Sequence, residues 1–402
     1  MLRVTTVEQA RTRLRGTVHQ TPLTPSNTFS RMFGCQVFLK LENLQRTGSF
    51  KIRGAANKIA QLTAKEKAKG VIAASAGNHA QGVALASSYA GIPCTIVMPR
   101  TASLAKIAAT KGYGAEVILE GDGFDEAQTY AMEQAREQGR AYIHAFDDEA
   151  VIAGQGTIGL ELNEQLPELE AIVVPVGGGG LISGIATALK GIKPSVRVIG
   201  VQSAAVPGVL ENLRRRTIKG VPRNATVADG IAVARPGDLT LPLIKKYVDD
   251  VVAVEEEAIT QAMVLFLERS KLVVEGAGAV GLAALLSGKL QAPGKKVVLV
   301  LSGGNADTNL LARVIEHGLG HAGRYLTLRV TLSDRPGQLA RLLGLLADTG
   351  ANVLEVSHHR QGIHLALGQA EVEVTLETRD TSHAQEVLAA VKAAGYRAEV
   401  VV

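Results

Sequence analysis

Only two cysteines, Cys35 and Cys94, occur in 402 residues, with no Cys-x-x-Cys pair and no metal-ligand spacing. This excludes a disulfide framework, gives no support to a zinc site, and suits a reducing compartment. Long hydrophobic runs are also missing. None approaches the ~20 residues that cross a bilayer, and the opening Met1-Leu-Arg-Val-Thr-Thr-Val-Glu turns charged too early for a signal peptide. A cytoplasmic protein without a membrane partner is expected. The formal charge of +5 is spread along the chain, and the basic cluster Arg214-Arg-Arg216 has no interleaved aromatics. Nucleic acid is therefore not an expected partner.

What is present is ordinary globular material, 46% hydrophobic and 20% charged, in a chain long enough for two or three domains. Short apolar runs alternate with amphipathic or Ala-rich stretches. The pattern predicts strands over 71–74, 94–98 and 115–119, with helices over 78–90, 102–111 and 124–138. It resumes with strands over 171–176, 196–202 and 296–301. Strands that are apolar throughout imply parallel sheets covered on both faces, so two doubly wound α/β/α units are expected. Glycines cluster over 317–323 and predict a flexible linker at 317–324. Beyond it the order βαββαβ predicts a ferredoxin-like module over 325–402.

Four segments carry chemistry. Lys51, in Ser49-Phe-Lys-Ile-Arg-Gly54, lies between Gly48 and Gly54 beside the flat ring of Phe50, and a lysine so placed can form an imine with an aldehyde cofactor. The alternative is a solvated lysine opening a helix. Gly177-Gly-Gly-Gly180 follows an apolar strand and opens a helix at Leu181, where bare amides and the helix dipole suit a phosphate. A tight turn alone would need fewer glycines. The segment fails G-x-G-x-x-G, and Ile185-Ala186 replaces the Lys-Ser/Thr of a P-loop, which leaves a small cofactor phosphate. Ser75-Ala-Gly-Asn-His79 also joins a strand to a helix and could take an amino-acid carboxylate or merely cap the helix. Ser302-Gly-Gly-Asn305 is a third polar strand end.

Taken together, these segments resemble the fold-type II pyridoxal-phosphate enzymes, most closely the threonine dehydratases, over nearly the whole chain. The resemblance implies a catalytic region over 1–320, with a small subdomain at about 43–148 inserted between 1–42 and 149–320. It implies that Lys51 carries pyridoxal 5'-phosphate as an imine and takes the α-proton, with Phe50 packing beside the ring and Asn78 on its hydroxyl. Gly177, Gly178, Gly179, Gly180 and Leu181 would hold the phosphate, and Ser75, Gly77, Asn78 and His79 the substrate carboxylate. Ser302 would face the pyridine nitrogen. A neutral hydroxyl there makes the ring a weaker electron sink, which favours expelling a β-hydroxyl over transamination. The implied reaction is deamination of L-threonine to 2-oxobutanoate and ammonia, with L-serine to pyruvate beside it.

The similar serine racemases place a serine where this chain has Ala76, so racemisation would lack a second base. They also bind a divalent ion through acidic groups, whereas Gly200-Val-Gln-Ser-Ala-Ala-Val-Pro-Gly208 has no carboxylate, and no magnesium or calcium is expected there. The C-terminal module resembles an ACT domain on its element order, Asp334-Arg-Pro-Gly337 and Gly350-Ala-Asn352. Gly337 and Asn352 are its candidate effector residues, with isoleucine or valine as effector, and a dimerisation module without ligand is the alternative. His358 and His359 fall on opposite faces of a strand and suggest no metal. A homo-oligomer, dimer or tetramer, is a family expectation. Competing readings are serine racemase or serine dehydratase, and an inactive amino-acid-binding regulatory protein.

Overall fold

The structure is a computed structural model that describes residues 2–360 and 365–401. The chain forms two compact units, Met1–Ala306 and Asp307–Val402. No helix among the described residues is long and apolar enough to cross a membrane.

The first unit contains strands β1 (Leu23–Pro25), β2 (Gln36–Lys40), β3 (Val71–Ala74), β4 (Cys94–Met98), β5 (Glu116–Leu119), β6 (Ala141–Tyr142), β7 (Ala171–Pro175), β8 (Arg197–Ser203), β9 (Asp250–Val254) and β10 (Lys296–Val300). They make a four-stranded parallel sheet, β5-β4-β3-β6, and a six-stranded sheet, β1-β2-β10-β7-β8-β9, parallel except at β1. The reason these strands lack polar alternation is visible in the smaller sheet. Val71, Ala73, Ile96 and Met98 enter the core on one face, while Ile72, Ala74 and Val97 pack on the other against Ala127, Ala131 and Ala135 of the helix Phe124–Gln138. Both faces of β3 are dry, and all four of its residues are apolar and buried.

Three helices set the place of Lys51. The helix Lys51–Ala60 packs on Glu149–Gln165, which in turn packs on Gly180–Ile192. The contacts are closer than side chains permit: a Cβ on Gly156 would stand 2.7 Å from the carbonyl oxygen of Gly184, and one on Gly54 would stand 2.7 Å from Val151. Glycine is needed there for approach rather than for a turn. Beneath the same junction lies an ionic cluster. Arg53 binds Glu42 and Glu161, and Lys40 binds Glu161 at 2.6 Å, with Arg53, Lys40 and Glu42 wholly excluded from solvent.

The second unit begins with the helix Thr308–His321. This corrects the linker expected over 317–324: Gly318 lies in a continuing helix, because Leu311, Val314, Ile315 and Gly318 follow the i, i+3, i+4, i+7 spacing of one face. Two helical glycines cost about 1 kcal/mol each without breaking it. Then come β11 (Tyr325–Ser333), the helix Gln338–Asp348, β12 (Asn352–His359), β13 (Gln369–Glu377), the helix Thr381–Ala393 and β14 (Arg397–Val400). The antiparallel order β12-β13-β11-β14 is the ferredoxin-like arrangement expected. Alternate residues Leu326, Leu328, Val330 and Leu332 of β11 are buried, as a sheet with one covered face requires.

Candidate active site

One cavity of about 990 Å³ in the first unit is lined by Phe50, Lys51, Ser75, Gly77, Asn78, His79, Gly177, Gly178, Gly179, Gly180, Leu181 and Ser302. The four segments singled out in the sequence therefore meet at one place, at the carboxyl ends of β3, β7 and β10.

The lysine segment is stitched to the last strand end of the unit. Gly304 N–H donates to the Gly48 carbonyl at 2.9 Å and Phe50 N–H to the Ser302 carbonyl at 3.2 Å. Asn305 Nδ2 donates to the Thr47 carbonyl at 2.6 Å. This fit needs left-handed backbone at Thr47 (φ 64) and Gly48 (φ 68), and a Cβ on Gly48 would run into the Asn305 amide. A non-glycine residue held in that region at Thr47 is strain of the kind that over-determined sites retain. Lys51 then opens its helix, with Nζ 5.0 Å from the centre of the Phe50 ring and donating to the Ala145 carbonyl at 3.2 Å. Desolvation brings its amine down to about 8, against the upward pull of Glu275.

Glu275 joins the site from outside the four segments. It is buried in the cavity wall, its Oε1 accepts from Asn78 Nδ2 at 2.7 Å, and burial pushes its carboxyl up to about 7, with the Asn78 hydrogen bond opposing. Asn78 Oδ1 in turn accepts from Asn305 Nδ2 at 2.8 Å. These two partners fix the orientation of the Asn78 amide and leave its second Nδ2 hydrogen free for a ligand. The available signal was a single acid inside the apolar run Leu272-Val-Val-Glu-Gly-Ala-Gly-Ala-Val280.

The reading of Ser75 and Asn78 as helix caps does not hold. Ser75 Oγ accepts from Gly77 N–H at 3.1 Å, before the helix Asn78–Ala90 begins, and that helix has no side-chain cap. Its N-terminal amides remain available to an anion. His79 is buried, its Nε2 donates to the Ile143 carbonyl at 2.8 Å, and burial followed by the Lys51 charge lowers its pKa to about 3. Its ring is neutral and committed.

The glycine loop fits a phosphate. Among the described residues the amides of Gly177 to Leu181 make no hydrogen bond, and the helix they open has no side-chain cap. The loop tolerates no side chain: a Cβ on Gly178 would enter the Phe146 ring, and Gly179 is left-handed at φ 97. Ser302 is buried in the wall of the same cavity. Two ion pairs, Lys106 to Asp229 at 2.9 Å and Arg223 to Asp125 at 3.0 Å, link residues of the cavity lining.

In the second unit the candidate effector residues do not come together. Gly337 follows the Ser333 end of β11, while Asn352 pairs with Glu377, which pairs with Tyr325 at the other end. The separation along a nine-residue strand is roughly 25 Å. Within one copy of the module, Gly337 and Asn352 therefore stand toward opposite ends of β11.

The profile of the family described as pyridoxal-phosphate dependent enzyme matches residues 14–303, and that of the ACT domain residues 326–395. Over 401 residues, covering all of both chains, the sequence is 51% identical to the L-threonine ammonia-lyase of Thermotoga maritima. Among solved structures it is similar to maize serine racemase, with a TM-score of 0.75 and 38% identity over 80% of this chain and 98% of that one. It is likewise similar to the processed form of threonine deaminase isoform 2 from Solanum lycopersicum, with a TM-score of 0.73 and 37% identity over 78% and 86% of the two chains. An amide cradle, a buried hydroxyl and a low-pKa lysine in one cavity agree with that kinship, and the chain belongs to the pyridoxal-phosphate-dependent enzymes, with an ACT domain following its catalytic unit.

Proposed function

We propose that this protein deaminates L-threonine to 2-oxobutanoate and ammonia, and L-serine to pyruvate, with pyridoxal phosphate. The observation that carries the reading is the Lys51 amine, brought down to about 8 in a cavity that also holds the bare amides of Gly177 to Leu181 and the hydroxyl of Ser302. The relatives named for threonine deamination support the substrate.

When bound, the cofactor supplies an electron sink next to the substrate's α-carbon. Gly177, Gly178, Gly179, Gly180 and Leu181 would hold its phosphate through backbone amides, and Phe50 would pack beside its ring. Asn78 would donate its free Nδ2 hydrogen to the ring hydroxyl. Ser302 would meet the ring nitrogen with a neutral hydroxyl, which would keep the sink moderate. The substrate carboxylate rests at the N-terminus of the helix Asn78–Ala90, on Ser75, Gly77, Asn78 and His79. His79 acts there through its backbone N–H, because its ring is committed to Ile143. Lys51 Nζ accepts the α-proton. Loss of that proton and of the β-hydroxyl removes one water, and hydrolysis of the released enamine returns it, so threonine yields 2-oxobutanoate and ammonia in balance.

The similarity to maize serine racemase favours a second reading, racemisation. The position those enzymes fill with a serine is Ala76, which lines the cavity here and cannot act as a base. We further infer a cytoplasmic homo-oligomer, dimer or tetramer, whose activity responds to isoleucine or valine through the ACT domain.

The test is a panel of hydroxy amino acids with oxo-acid detection, run with and without isoleucine and valine. Threonine turnover is expected to lead. Measurable D-serine from L-serine without oxo acid would replace this reading with racemisation, and no oxo acid from any substrate would leave a regulatory binding protein.

A further inference from the structure

The glycine loop does not aim itself. Thr240, which is fully buried and stands outside the cavity lining, donates from Oγ1 to the Gly178 carbonyl at 2.6 Å. The same carbonyl accepts from Gly237 N–H at 3.3 Å. Thr240 Oγ1 also accepts from Gly237 N–H at 3.0 Å, and of the two carbonyls within its reach, Gly178 at 2.6 Å and Gly237 at 3.4 Å, the nearer takes its one hydrogen. A trans peptide sends its C=O and its following N–H in opposite directions. With the Gly178 carbonyl drawn back toward Thr240, the Gly179 N–H points away from Thr240 and toward the cavity that Gly179 lines.

Three backbone bonds hold Thr240 in place. Asp147 accepts from Asp238 N–H at 2.9 Å, Leu239 N–H at 2.9 Å and Thr240 N–H at 3.3 Å. Thr240 also fills the space on the Cα face of Gly179, where a Cβ would stand 2.9 Å from both its Cβ and its Oγ1. The loop is thus supported from behind by one hydroxyl, with the Phe146 ring against Gly178 on another side.

We propose that Thr240 is a positioning residue for the cofactor phosphate: its hydroxyl fixes the Gly178–Gly179 peptide so that the Gly179 amide is presented to the anion before it arrives. The inference rests on the pyridoxal-phosphate reading. It assigns Thr240 no contact with the cofactor and no part in proton transfer, only the orientation of one peptide. The ligand difference it predicts is specific to the phosphate, because the ring and the aldehyde of the cofactor meet other residues.

The experiment compares pyridoxal phosphate with pyridoxal, which has the same ring and aldehyde and no phosphate. The full-length chain is freed of cofactor and titrated with each, following imine absorbance. Thr240→Val, equal in shape but without the hydroxyl, is expected to raise the dissociation constant for pyridoxal phosphate about tenfold. Pyridoxal affinity is expected to stay at the wild-type value, and Thr240→Ser to restore the phosphate preference. Equal affinity of wild type and Thr240→Val for pyridoxal phosphate would overturn the proposal. So would a parallel loss of both ligands in Thr240→Val, which would make Thr240 a general structural support. Failure of the wild-type chain itself to form an imine with pyridoxal phosphate is a separate outcome, which removes the functional reading rather than the role of Thr240 within it.

Discussion

Arg53 and Glu42 form a two-pronged pair shut away from water: Nε meets Oε2 at 2.8 Å, one terminal nitrogen meets Oε1 at 2.8 Å, and neither side chain has exposed surface. The other terminal nitrogen binds Glu161, so one guanidinium joins the turn before Lys51 to the helix Glu149–Gln165. Buried pairs of this kind seldom exceed the stability of an apolar replacement, but removing one partner leaves the other charge stranded. Arg53→Met is expected to lower stability by about 3–5 kcal/mol, read from urea unfolding of the full chain. Arg53→Lys should recover little, since an ammonium cannot reproduce the planar fork. A loss below about 1 kcal/mol would mean that the pair behaves as a surface bridge.

Lys51 must be neutral to attack an aldehyde, and its amine lies near 8 rather than 10.5. The rate of imine formation on adding pyridoxal phosphate is expected to rise with pH and reach half its maximum near pH 8, as stopped-flow absorbance would show. Lys51→Ala should form no imine and no oxo acid while unfolding at the wild-type urea concentration. A rate that keeps climbing toward pH 10 would contradict the shifted amine.

Glu275 gives a pH dependence of the opposite kind. Its folded pKa, about 7, is above the 4.5 of an unperturbed carboxyl, so the folded chain holds a proton that the unfolded chain has released. Stability from this group is full below pH 4.5 and is lost as pH rises through about 7. Glu275→Gln keeps an acceptor for Asn78 and has no proton to lose. It should therefore be more stable than wild type at pH 8, by roughly 2–4 kcal/mol, with the difference fading as pH falls toward 5. Scanning calorimetry at the two pH values decides it, and a difference that does not change with pH would show that Glu275 is ionised throughout.

Gly178 and Gly179 offer a steric test. Gly178→Ala puts a methyl into the Phe146 ring, and Gly179→Ala combines a left-handed backbone with a Cβ 2.7 Å from Ile244. Both are expected to weaken pyridoxal-phosphate binding by at least about tenfold. Adding Phe146→Leu should relieve Gly178→Ala and leave Gly179→Ala unchanged, which equilibrium dialysis of the cofactor can measure.

The sequence was most legible where burial is simple. The segments 71–74 and 94–98 are strands with the expected ends because both of their faces are dry and turns bound them. The helix Glu149–Gln165 is not legible in the sequence because it is buried on nearly every side and has no polar stripe, and Gly154, Gly156 and Gly159 within it serve helix contacts rather than turns. Gly318 misled in the other direction, since a glycine inside a helix carries the same letter as one in a linker. At the site, glycine loops and a lysine between glycines announce themselves through spacing. Glu275 and Thr240 do not, because each acts through one hydrogen bond to a partner far along the chain, and neither spacing nor periodicity encodes such a pairing.

The stitching of residues 47–50 to 302–305 also bears on how the protein is made. β2 finds its parallel neighbour only when β10 exists, and Gly48 and Thr47 receive their partners from Gly304 and Asn305. During synthesis, the lysine emerges from the ribosome some 250 residues before the wall it will face. A chain interrupted anywhere before Asn305 lacks a closed pocket, so capture of the cofactor marks a completed catalytic unit, and unfinished products would be left without the ligand that protects the finished fold.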